Sequence, residues 1–302
     1  MTATTSEPIV ADGIVVVDKP AGLTSHTVVA RIRRLAGTRK VGHAGTLDPM
    51  ATGVLVVGLN RATRLLGHLQ LADKSYDATI LLGATSSTDD AEGEVVSTAS
   101  PAALAAVTAE AIETAVAAYR GEISQVPSKV SAIKVDGKRA YERVRAGEEV
   151  ALKARSVTIS RYDVLDVRPM DGGIEVDISV DCSSGTYIRA LARDLGADLG
   201  VGGHLTRLRR TRVGTFGMTS AHTLESLAET FTMLPIADVA ADTFPRYDAD
   251  AEQATAIRTG RPLPGLKLAA GRQTAMFDPD GTFLALYEPH GPLAKPTAVF
   301  VS

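Results

Sequence analysis

The sequence predicts an α+β protein: a mixed, largely antiparallel sheet with flanking helices, a basic insertion and a small strand-rich module at its C-terminal end. Three observations predict it. Apolar runs of strand length alternate with amphipathic helical segments, but without the regular βαβ spacing of a doubly wound parallel sheet. Residues 124–150 are polar, basic and interrupted by Pro127, Gly137 and Gly147. The composition shifts after about Ala240, where Pro245, Pro262 and Pro264 separate short apolar runs ending at Val299 to Val301. A chain of 302 residues accommodates one large domain over 1–240 and a module over 245–302.

The elements follow in order. Gly13 to Val17 reads as a buried strand closed by Asp18-Lys19-Pro20-Ala21-Gly22. Ser25 is the expected N-cap of a helix whose Val28, Val29, Ile32 and Leu35 recur at helical spacing, with Gly37 as its left-handed cap. A loop from His43 to Pro49 precedes a second apolar strand, Thr52 to Val57, and a short helix over Ala62 to Leu69. Tyr76 to Leu82 alternates as a strand. Pro101 to Ala118 is Ala-rich and expected to be helical. Within the basic insertion a helix is expected near Arg139 to Ala146. Val157 to Val167 and Gly173 to Val180 read as antiparallel neighbours, and Tyr187 to Leu199 as a helix burying Ile188, Leu191, Ala192 and Leu195.

Composition removes several classes. Cys182 is the only cysteine, so an intrachain disulfide and a cysteine-rich zinc site are excluded. The six histidines lack metal-ligand spacing, and there is neither a P-loop nor a GxGxxG segment. No metal and no cofactor are expected. No Lys or Arg precedes Lys19, and no apolar stretch approaches the ~20 residues that span a bilayer, so a cytoplasmic protein with no membrane partner is expected. The net charge of −3 argues weakly against nucleic acid, but it hides clusters. Arg31 to Lys40, Lys129 to Arg145 and Arg207 to Arg212 are cationic, while Asp89, Asp90, Glu92 and Glu94 gather elsewhere. Such partition gives a basic face to an acidic protein.

The chemistry concentrates in Gly42-His43-Ala44-Gly45-Thr46-Leu47-Asp48-Pro49-Met50-Ala51-Thr52-Gly53. Glycines permit close approach of a ligand or second backbone, and Pro49 biases Asp48 to extended backbone, which aims a short carboxylate outward. By local physics alone Asp48 reads first as a turn residue or helix cap. The segment resembles the catalytic motif of the TruB family of pseudouridine synthases. Lys19 to Ser25 resembles that family's N-terminal motif. Lys74-Ser75-Tyr76, Leu82-Gly83 and Asp90-Ala91-Glu92-Gly93 resemble its tyrosine motif. Cys182 to Arg189 resembles its arginine motif, and Gly203 to Thr211 a further block; the blocks keep family order from about residue 13 to 215.

The resemblance implies isomerisation of the T-loop uridine of tRNA (position 55) without redox change or added group. It implies Asp48 as catalytic carboxylate, Arg189 as its cationic partner and Tyr76 stacked on the uracil. His43 would fill the stack vacated by the flipped base, Leu208 would line the base pocket, and Lys19 would contact substrate. Residues 124–150 correspond to a thumb-like insertion closing over the T-arm stem-loop, with Arg139, Arg143 and Arg145 on RNA. Arg207, Arg209 and Arg210 are expected on RNA as well. Residues 245–302 resemble a PUA-like domain. No protein partner is implied, and a monomer is expected. A tRNA-folding chaperone, with binding as its main role, is the alternative. Without the resemblance, Arg189 reads as a surface residue of a helix start and Tyr76 as a core aromatic.

Overall fold

β1 (Gly13–Lys19) buries every residue but Asp18, and β3 (Thr52–Leu59) buries all but Thr52. Near-continuous apolar strands need cover on both faces, and both are covered here. Val15, Val17, Leu55 and Val57 pack with Val28, Val29 and Ile32 of helix Ser25–Ala36. Ile14, Val16, Val54 and Val56 face the other way, into a second core with Leu65, Leu66, Phe277, Phe283 and Phe300. The computed structural model describes residues 11–128 and 152–301, together with the backbone of 134–135 and 138–139.

The remaining strands, in chain order, are β2 (Val41–His43), β4 (Lys74–Leu82), β5 (Ala84–Ser86), β6 (Val95–Thr98), β7 (Gly121–Gln125), β8 (Lys134–Val135), β9 (Lys138–Arg139), β10 (Arg155–Met170), β11 (Gly173–Cys182), β12 (Gly203–Val213), β13 (Phe216–Gly217) and β14 (Leu234–Pro235). The main sheet runs β14-β1-β3-β12-β4-β11-β10-β7, with β2 beside β3 and β13 beside β12. Its pairings are antiparallel except β3 with β12, which meet in parallel at Thr52–Arg209 and Gly53–Arg210. That junction requires glycine. Gly53 has φ +97°, and a Cβ there would lie 2.2 Å from the Arg210 carbonyl oxygen.

β12 is the central strand that hydropathy hides. Its sequence carries four arginines, yet Leu205, Leu208 and Val213 are buried and helix Ile188–Asp198 packs on it. The first helix is capped by Thr24, whose hydroxyl accepts from Thr27 N at 3.1 Å; Ser25, the expected cap, is instead buried inside the helix start. The Ala-rich stretch is two helices, Pro101–Ala105 and Ala109–Ala117, because Thr108 caps the second through Ala111 N and so ends the first. Asn60–Arg64 is a 3₁₀ turn that leads into a single α turn, Leu66–Leu69. Arg139 lies in β9, paired through Lys134, rather than in a helix; residues 140–146 of the expected helix fall outside the described residues.

The C-terminal sheet comprises β15 (Arg246–Asp248), β16 (Leu263–Pro264), β17 (Thr274–Phe277), β18 (Phe283–His290) and β19 (Leu293–Val299), in the order β15-β17-β18-β19-β16. Helix Ala251–Arg258 opens with an Asp250–Gln253 capping box. The unit is fastened by the shared phenylalanine core and by Arg61 and Arg64, which donate to the Phe300 and Val299 carbonyls at 3.3 and 2.9 Å. Among the described residues no helix is long and apolar enough to cross a membrane.

Candidate active site

The loop before β3 is pinned from three sides. Ser25 Oγ accepts from Leu47 N at 2.9 Å and donates to Leu47 O at 3.1 Å, which locks the residue before Asp48. Lys19 Nζ, fully buried, donates to Pro49 O at 3.1 Å and to Pro20 O and Leu23 O at 3.0 and 2.7 Å, which locks the residue after it. From below, Arg210 donates to Gly45 O at 3.1 Å and Val54 O at 2.8 Å. Asp48 is therefore presented on backbone that has little freedom left, the kind of support a reacting group needs.

Arg189 meets the carboxylate. Its Nη2 lies 3.0 Å from Asp48 Oδ2 and its Nη1 lies 3.2 Å from Asp90 Oδ2. Nη1 also donates to Thr88 O at 2.9 Å. Arg189 is only 5% exposed and Asp90 is buried, whereas the Asp48 side chain is 38% exposed toward the cleft. A buried guanidinium is tolerable only when compensated; Asp90 does this from behind and leaves Asp48 in front. Asp90 is itself held by Thr88 Oγ1 and by Glu92 N at 3.1 Å. The helix that carries Arg189 is set by the buried Gln125, which accepts from Tyr187 N at 2.8 Å and donates to Tyr187 O at 3.1 Å.

Asp48 and Arg189 line a cavity of about 590 Å³, together with Tyr76, Leu208, Lys74, Leu71 and Arg210. That volume suits a nucleoside-sized ligand. The register sets Arg210 directly opposite Tyr76 across β12 and β4. Burial pushes the Tyr76 phenol above its usual range, and the neighbouring Arg210 cation opposes that shift. Burial also lowers Lys19 to about 8, with Asp48 pulling the other way. Lys74 is lowered to about 8 as well, by burial and then by Arg210. The cavity thus joins one presented carboxylate, its guanidinium partner, an aromatic wall and buried cations.

Of the residues singled out in the sequence, Asp48, Tyr76, Arg189 and Leu208 converge on the cavity, and Lys19 braces its loop from beneath. His43 sits on β2, edge-on to the ring of His26 at 5.6 Å between centroids, and is not among the cavity-lining residues. Arg207 is exposed on β12. Arg209 pairs with Asp18 at 2.8 Å and donates to Thr52 Oγ1 at 3.2 Å. Arg210, expected on an open basic face, is buried because its guanidinium serves loop carbonyls. Arg143 and Arg145 lie outside the described residues, as does the side chain of Arg139. The acidic stretch from Asp89 to Glu94 is not remote from the cationic groups, since Asp90 reaches Arg189. Asp90, Gln125 and Ser25 were not legible as site residues. Only a buried polar side chain between apolar neighbours hints at such bracing, and sequence does not display burial of polar groups.

Comparison with known proteins adds independent findings. Residues 33–188 match the family described as TruB family pseudouridylate synthase (N terminal domain). Residues 189–236 match the tRNA pseudouridylate synthase B C-terminal domain, and residues 244–301 match tRNA Pseudouridine synthase II, C terminal. The chain is 55% identical to the tRNA pseudouridine synthase B of Streptomyces griseus over 305 residues, covering 99% of this chain and 100% of that protein. It is 56% identical to the protein of the same name from Mycobacteroides abscessus, covering 98% of each. Among solved structures it is similar to a chain of a Cbf5-Nop10-Gar1 complex, with TM-score 0.73 and 27% identity over 96% of this chain and 85% of that one. A chain of an H/ACA RNP bound to a substrate RNA containing 2'-deoxyuridine matches with TM-score 0.72 and 25% identity, over 96% and 85%.

Proposed function

The chain belongs to the TruB family of pseudouridine synthases, and from that premise we propose that it isomerises the T-loop uridine of tRNA, position 55, to pseudouridine. The observation that carries this reading is the pairing of a cleft-facing Asp48 with a buried Arg189 at 3.0 Å. The reaction breaks the bond from ribose C1′ to uracil N1, turns the base and forms the bond from C1′ to C5. The C5 proton leaves and N1 gains one, so atoms balance with no cofactor.

Within that reaction each group has a task. Asp48 is the catalytic carboxylate. Arg189 orients it through the 3.0 Å ion pair and balances its charge in the cleft. Tyr76 stacks on the uracil and stands at the path of the C5 proton, and Leu208 packs against the base. Lys19 keeps the loop carbonyl after Asp48 in place. The uridine must leave its stack, at a cost of a few kcal/mol; His43 is the group proposed to offset part of it. Arg207 and Arg209 of β12 meet RNA, together with Arg139, Arg143 and Arg145 of the insertion, while 245–302 acts as a PUA-like RNA-binding unit. The substrate is the T-arm stem-loop, and the protein works as a monomer in the cytoplasm.

Identities of 55–56% over nearly the whole length, against 27% for the ribonucleoprotein chain, support tRNA as substrate over a guide-directed target. The test is Asp48→Asn with a transcribed T-arm stem-loop and position-resolved pseudouridine mapping. Wild type is expected to modify one uridine, and the variant is expected to bind RNA without modifying it. Retained modification by the variant refutes the assignment of Asp48. A variant that also still refolds tRNA supports a separate chaperone role in the same protein.

A further inference from the structure

Leu71 is the most exposed large hydrophobic side chain among the described residues, at 71%, and the only one of the exposed set that lines the cavity containing Asp48. A lone exposed leucine needs no explanation by itself. What sets Leu71 apart is how its backbone is held. Lys74 Nζ donates to Gln70 O at 2.8 Å and to Ala72 O at 2.6 Å, the carbonyls on either side of Leu71. Leu71 N donates to His68 O at 3.3 Å and Ala72 N to Leu69 O at 3.2 Å, while Gly214 N closes the turn from the far side on Asp73 O at 2.8 Å.

Lys74 is buried to make those bonds, and burial opposes its charge. The fold therefore commits a buried cation to stiffening a turn that sets the exposed Leu71 at the lining of the cavity. Ser184, Thr186 and Tyr187 line the same cavity. An apolar side chain fixed on a rigid turn at the mouth of such a site offers a packing surface to a nucleoside ring.

We propose that Leu71 is a substrate-positioning residue that packs against the nucleoside flanking the extruded uridine, and that Lys74 is the positioning residue that holds Leu71 in place. The proposal rests on the reading that this cleft takes a uridine from RNA. It assigns Leu71 a role in binding rather than in bond exchange.

The experiment measures equilibrium binding of a labelled T-arm stem-loop by anisotropy at several salt concentrations, alongside single-turnover pseudouridine formation. Leu71→Ala is expected to raise Kd by about 5- to 10-fold, and Leu71→Met by less than about 2-fold. The slope of log Kd against log salt stays that of wild type, since no phosphate contact is removed. The single-turnover rate at saturating RNA falls by less than about 2-fold. In a double-mutant cycle, Lys74→Met with Leu71→Ala raises Kd no further than the larger single effect. An unchanged Kd for Leu71→Ala, an altered salt slope, or a loss confined to the rate overturns the role of Leu71. Full additivity overturns the role of Lys74. Should Lys74→Met fail to fold, the alanine and methionine variants at Leu71 still decide. If wild type binds the stem-loop but makes no pseudouridine, the reaction proposed above falls, whereas the Kd comparison still stands or fails by itself.

Discussion

Arg189 and Arg168 each hold more than one carboxylate, in opposite surroundings. Arg168, on the open face of the main sheet, lies 2.6 Å from Asp166, 2.7 Å from Asp177 and 3.3 Å from Glu175, and its side chain is 42% exposed. Arg189's contacts, 3.0 and 3.2 Å, are longer than the two shortest of Arg168, but its side chain is 6% exposed. Ranked by distance, the surface cluster wins. Ranked by consequence, it loses, because water and salt already solvate Arg168 and its partners. Removing Arg189 strands Asp90 in a buried site and leaves Asp48 without its cation. Burial, not distance, tells which ion pair the protein depends on.

The sharpest way to break this comparison is Arg189→Ala. It is expected to lower kcat by about 10²–10³-fold, the usual cost of losing one preorganised charge partner. It should also cost about 3–5 kcal/mol of stability by leaving a buried carboxylate unpaired. Turnover within a factor of a few of wild type, measured on the stem-loop, shows that the pair is structural only.

A smaller effect comes from pH. Lys19 titrates near 8 in the folded protein, against 10.5 for an ordinary lysine, and Lys74 behaves alike. Between those values the folded state binds fewer protons than the unfolded chain. These lysines therefore make unfolding less favourable as pH rises through 8, and the melting temperature gains rather than loses from them. Activity goes the other way. Deprotonation removes the charge beside Asp48 and one of the three ammonium hydrogens bracing the loop. We expect kcat/KM to fall above pH about 8, by up to ~10-fold per unit; a profile level to pH about 9.5 removes Lys19 from the working site.

The smallest effect belongs to Arg168→Ala. No measurable change in either turnover or melting temperature is expected, despite the loss of three close contacts. A clear drop in melting temperature, abolished by high salt, sharpens the comparison by showing that the surface cluster acts as a network.

Much of the fold was legible because apolar periodicity reports which faces are buried. β1, β3, β4, β10 and β11 extend the expected strands by a few residues only. β12 escaped because its arginines read as a cationic surface cluster, although Arg210 is fully buried. The break at Thr108 escaped because alanine propensity favours one long helix, and a single hydroxyl cap outweighs it. In the site, Asp48, Tyr76 and Arg189 stood out through motifs kept in order along the chain. Their mutual distances did not.

The sequence by itself determined the α+β class and the carboxylate set on a loop between glycines. Those follow from local preferences, which need no neighbours to be read. Only the tertiary structure decided that Arg189 is buried between Asp48 and Asp90, and that Arg210 is buried and donates to the Val54 and Gly45 carbonyls. It also decided that Lys74 is folded under the turn of Leu71. The reason is that a charged side chain has no periodic signature of burial. Whether it is solvated or enclosed depends on segments dozens of residues away that close over it.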